Sequence, residues 1–107
     1  MINNKQLMLK MVADRIKEKD PLAQVILFGS RARNDANIHS DWDILILLNQ
    51  NIVSRKTQKE YRDSLYDLEL ETGEPISTLI FSKKEWEEKH KSTPLYINVI
   101  KDGIYSA

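Results

Sequence analysis

Phe28-Gly-Ser-Arg-Ala-Arg-Asn-Asp-Ala-Asn-Ile-His-Ser-Asp-Trp-Asp-Ile-Leu-Ile-Leu47 is the stretch whose reading decides the fold. It follows the apolar run Gln24-Val-Ile-Leu-Phe28, which reads as a short buried strand stopped by Gly29. Glycine lets the chain turn sharply there and lets an anion approach the backbone closely. A short helix begun by Ala32-Arg33 would point free amides at such an anion. Ser30 would add a hydroxyl donor, and Arg31 or Arg33 could add charge. A Gly-Ser turn can equally do no more than end a strand.

At the other end, Asp41 and Asp43 flank Trp42 at the start of a second strand, Asp41 to Leu48. Side chains at i and i+2 leave one face of a strand, with Cα atoms roughly 6.6 Å apart. The two carboxylates would therefore project together and Trp42 would point the other way. Like charges held side by side repel, and a hard divalent cation such as magnesium removes that cost. A solvated strand entrance is the plainer alternative. The apolar run Ile44 to Leu48 is too continuous for a one-sided strand and predicts a central one covered on both faces.

Working outward, Asn3 and Asn4 are candidate caps for a first helix to about Lys19, with an apolar stripe of Leu7, Met8, Met11, Val12 and Ile16. Pro21 breaks it. A second long helical pattern covers about Ser54 to Thr72, with Tyr61, Leu65 and Leu68 on one face and Gly73 as C-terminal cap. Pro75 to Phe81 reads as a third strand. Ser82-Lys-Lys-Glu85 is a capping box opening a short helix around Trp86. Thr93-Pro94 starts a last helix that Gly103 ends, and Ile104-Tyr105 could add a small strand. Trp42 and Trp86 are expected in the core, His39 in a solvated loop, and His90 at a charged helix end whose polarity accounts for it. The pattern predicts an α+β domain, a small mixed β-sheet with helices packed mainly on one face.

The 107 residues suit a single domain, 1–107, with one core. Lysine plus arginine total 16 and aspartate plus glutamate total 16, so the net charge is zero, which argues against a general electrostatic grip on nucleic acid. There is no cysteine, which excludes disulfides, thiolate metal sites and thiol nucleophiles. No stretch has the length of a signal peptide or a membrane span, so a cytoplasmic setting is the default expectation.

A hydrophobic strand, Gly29-Ser30, a spacer from Arg31 to Ser40 and then Asp41-X-Asp43 resembles the signature of the polymerase-beta-type nucleotidyltransferase superfamily. The fuller string Gly-Ser-Arg-Ala-Arg … Ser-Asp-Trp-Asp-Ile-Leu resembles its minimal, MNT-type members. The resemblance implies the nucleotidyltransferase fold and a transfer of a nucleoside monophosphate, AMP from ATP, to a hydroxyl. It puts the triphosphate on Gly29 and Ser30, with Arg31 and Arg33 as helpers, and Mg2+ on Asp41 and Asp43. These aspartates are then the catalytic pair, because metal can clamp the charge that shifts during in-line attack on phosphorus.

The family adds a third carboxylate on the next strand, which serves as metal ligand and base. The frame of this sequence puts Ser77 there, and serine does neither at neutral pH. Three explanations are open. Glu69, Glu71 or Glu74 could reach the metal; two carboxylates and a water could work slowly; or the domain could keep nucleotide binding, or its fold alone, without transfer. So small a chain has no room for an acceptor domain, so the acceptor must lie on a shallow surface, be shared between subunits of an oligomer, or be a protein. The resemblance supplies one such partner, a HEPN-type ribonuclease toxin to which minimal members pair as antitoxin.

Overall fold

The computed structural model describes residues 4–106. Asn3 lies outside them. Asn4 is the cap of α1 (Lys5–Lys17), its side-chain oxygen accepting from the amides of Gln6 and Leu7. The buried stripe of α1 is Met8, Leu9, Val12, Ala13 and Ile16. Leu7 is 47% exposed, so Leu9 takes the place expected of it. The helix also stops two residues before Lys19, where the amides of Lys19 and Asp20 both close on the Ile16 carbonyl.

β1 (Gln24–Phe28) leads directly into α2 (Gly29–Arg33), which starts at the glycine and not at Ala32. β2 (Trp42–Leu48) begins one residue after Asp41. α3 (Arg55–Thr72) is capped by Ser54, whose hydroxyl accepts from the Thr57 amide, and ends at Gly73 in the left-handed region, φ +72°. β3 (Ile76–Ser82) follows. Ser82 then caps α4 (Lys83–Lys89), and Thr93 caps α5 (Pro94–Asp102) ahead of β4 (Ile104–Tyr105).

The four strands form one mixed sheet in the order β3-β2-β1-β4. β1 is antiparallel to β2 and β4, and β2 is parallel to β3. The parallel pair needs a crossover, and α3 supplies it. β2 is central, and its apolar run is buried on both faces. Ile44, Ile46 and Leu48 join α1 and α3 in the larger core cluster. Leu45 and Leu47 meet Ile26, Trp86 and Val99 in the smaller one, under α4 and α5. The two long helices thus cover one face, and the two short ones cover part of the other. This is the expected α+β architecture. Trp42 and Trp86 are both core residues, at 1% and 2% exposure. No helix among the described residues is long and apolar enough to cross a membrane.

Candidate active site

The ends of β1 and β2 bring the two halves of the motif together. Their antiparallel register pairs Phe28 with Asp43, so the turn after Phe28 lies beside that aspartate. Gly29 has φ +75°, a conformation that costs a residue with a Cβ roughly 1–2 kcal/mol. Space makes the same demand, because a Cβ on Gly29 would overlap Oδ2 of Asp43. The Asp43 carboxylate is therefore packed directly against the backbone of the Gly29-Ser30 turn. Only glycine permits this approach.

Asp41 is exposed and lies just outside the strand, while Asp43 is half-buried within it. Burial pushes the Asp43 carboxyl above its ordinary value. The negative charge of Asp41 pushes it further, and Arg33 pulls it part of the way back. Asp41 thus stands close enough to oppose the ionisation of Asp43, whose partial burial limits screening by water.

The two arginines of the motif separate. Arg33 is exposed, pairs with Asp35 at 3.2 Å, and acts on Asp43 from the aspartate side. Arg31 turns to the opposite face of the sheet. Its guanidinium lies 4.5 Å from the centre of the Trp42 ring and 4.0 Å from the buried Glu74 carboxylate. By the resemblance either arginine could help with phosphate charge, and Arg31 lies on the side of the sheet away from Asp43. The reason is strand alternation, which sends Trp42 to the face away from Asp43, where it offers a cation its ring and Glu74 its charge.

Ser77 is the parallel register partner of Asp43, so it lies on the adjacent strand and on the same face, where the frame of the sequence puts it. None of the three glutamates weighed as a replacement is aimed at the aspartates. Glu69 accepts from the Ile76 amide at 2.9 Å. Glu71 is paired with Arg15 at 2.6 Å. Glu74 accepts from the Trp42 indole at 3.4 Å and faces Arg31. Among the described residues no group of three metal-ligating side chains comes together.

That donor set still fits one kind of metal binding. Magnesium commonly uses one or two carboxylates and fills its other positions with water and substrate phosphates. Asp41 and Asp43 match that requirement, whereas among the described residues no third carboxylate joins them to hold a second metal. Sequence reasoning did not find the Arg31–Trp42–Glu74 cluster. Its members are brought together only by the packing of β2 against the turn before β3, and no local pattern announces it.

No curated protein sequence matches the chain. A family model described as the nucleotidyltransferase domain matches residues 9–105, which takes in the Gly29-Ser30 turn, both aspartates and every strand of the sheet. The chain belongs to the nucleotidyltransferase domain family.

Proposed function

We propose that this domain binds a nucleoside triphosphate as its magnesium complex and transfers the nucleoside monophosphate to a hydroxyl presented from outside. The observation that carries the reading is the Asp43 carboxylate packed against the Gly29-Ser30 turn, with Asp41 near enough to oppose its ionisation. ATP as donor, hence AMP as the group moved, comes from the likeness to minimal members of the family.

Asp41 and Asp43 would hold the magnesium, which when bound offsets their repulsion and draws charge from the phosphate oxygens. Gly29, lacking a side chain, lets the Asp43 carboxylate sit against the turn that would seat the triphosphate. Ser30 offers it a hydroxyl donor, and Arg33 an exposed positive charge. In the transfer, the acceptor oxygen bonds to the α-phosphorus, the bond to the bridging oxygen breaks, and pyrophosphate leaves. The acceptor proton passes to water, since Ser77 cannot take it. A missing base costs roughly a hundredfold to ten-thousandfold in rate, so slow turnover is expected. The acceptor is a protein or a small molecule, and a HEPN-type ribonuclease toxin is the protein candidate that the family likeness supplies.

A second reading has its own observation. Ser77 beside Asp43, with Glu69, Glu71 and Glu74 all engaged elsewhere, favours a module that binds nucleotide or a protein partner without transfer. Incubation with α-labelled ATP, magnesium and the candidate partner separates the two. Label on the partner that is lost in Asp43→Asn supports the transferase. Unlabelled partner, still bound equally well by that variant, supports the module. Ser77→Asp sharpens the test, because restoring a carboxylate should raise transfer at least about a hundredfold if the rest of the site is competent.

A further inference from the structure

Arg31 is the motif residue that the phosphate site does not absorb. Its side chain is 13% exposed and faces away from Asp43. Its Nε and one terminal nitrogen donate to the Ser40 carbonyl at 3.3 and 2.9 Å while the guanidinium stacks on Trp42. Ser40 and Trp42 are the two chain neighbours of Asp41.

Asp41 is outside the strand, so no ladder bond sets its position. What holds it is what holds the residues on either side. On the strand side, the Trp42 amide donates to the Pro75 carbonyl at 2.9 Å. On the loop side, Asn37, His39 and Ser40 bond among themselves. The Asn37 amide donates to Ser40 Oγ at 3.0 Å and the His39 amide to Asn37 Oδ1 at 2.8 Å. These bonds fold the loop on itself without fastening it to the sheet. Among the described residues, Arg31 provides the hydrogen bonds that tie residues 36–40 to the rest of the protein.

We propose that Arg31 is a positioning residue that fixes Asp41 for metal binding and makes no contact with the phosphates. The proposal rests on the reading of Asp41 and Asp43 as a metal–nucleotide site. Arg31 follows Ser30 directly, so one side chain links the phosphate turn to the loop that carries the first aspartate. Only a guanidinium can do this, because its planar fork gives two donors to one carbonyl while its face stays free for the indole. The buried Glu74 opposite keeps the cation on that face. Magnesium demands near-ideal octahedral geometry, so a displaced Asp41 should cost metal affinity before anything else. Loss of such an outer partner typically costs roughly 10–100-fold in metal affinity.

The test is a titration of Mg2+ at fixed ATP, followed by ATP binding, in the wild type and two variants. Arg31→Lys keeps a cation opposite Glu74 and loses the fork. The double variant Arg31→Met with Glu74→Gln removes the buried cation and anion together, which avoids stranding either charge. Thermal unfolding shows that each variant is folded. The expected result is a Mg2+ midpoint raised about tenfold or more, with wild-type ATP affinity recovered at saturating Mg2+. Weaker ATP binding that saturating Mg2+ does not restore would place Arg31 on the phosphates and overturn the proposal. An unshifted midpoint in the folded variants would also overturn it, while leaving the metal–nucleotide reading intact. A wild type that binds no ATP at any Mg2+ concentration would sink that reading, and the role of Arg31 with it.

Discussion

Trp42 and Asp43 are adjacent in sequence and face opposite sides of the same sheet, and the two sides are built on opposite terms. On the Trp42 side Trp42, Arg31 and Glu74 partner one another. The indole is buried against α1 and α3, its N–H meets Glu74, and its ring carries Arg31. On the Asp43 side like charges are brought together, burial raises the cost of ionisation, and the adjacent strand offers only a serine. The first side spends its contacts on stability. The second keeps an electrostatic penalty that a cation from outside would relieve. A stable scaffold one residue away is what lets an unfavourable site persist.

The comparison breaks most visibly through Trp42→Ala. Loss of a fully buried indole should lower unfolding free energy by about 3–5 kcal/mol, read from a denaturant titration, and it would also release Arg31. A loss below ~1 kcal/mol would show that this side is not the scaffold described. Gly29→Ala comes next. The left-handed φ alone should cost about 1–2 kcal/mol. The added Cβ must also displace the Asp43 carboxylate, so Mg2+-dependent ATP binding should fall by more than stability does. Equal ATP binding in a folded Gly29→Ala protein would separate the turn from the aspartate.

Asp43→Asn should give the smallest stability change and the most specific sign. The folded-state pKa of Asp43 is raised, so its ionised form costs stability above that pKa. The cost fades as pH falls through the raised value and is gone below the ordinary aspartate value of 3.8. In chelator, the variant should therefore melt higher than the wild type at neutral pH and lose that advantage in acid. Added Mg2+ should reverse the order at neutral pH by stabilising only the wild type. A variant that melts lower than the wild type in chelator at neutral pH would contradict the strained-acid picture.

Much of the fold was legible because its signals are local. Asn4, Ser82 and Thr93 cap the helices that their positions predict, and Ser54, read as part of the third helix, caps it instead. The run Ile44 to Leu48 announces a strand buried on both faces, and β2 is that strand. The misjudged residue on α1 shows the limit of periodicity. Leu7 and Leu9 are equally apolar, and only the angle at which α1 meets the sheet decides which of them is buried. The glycine turn and the two aspartates were legible as well, because a fixed spacing on paired strands needs only their register to meet.

The sequence by itself determined the elements, the caps, the Gly29-Ser30 turn, the paired aspartates and the serine in place of a third acid. Each depends on a residue's own backbone preference or on spacing within one strand. The tertiary structure alone decided where the charged side chains outside that frame would go. It put Glu69 on an edge amide, Glu71 on Arg15, and Glu74 behind the sheet with Arg31. It also divided two arginines two residues apart between opposite faces. A long side chain can reach either way from its backbone position, and its choice depends on which distant partner is buried beside it.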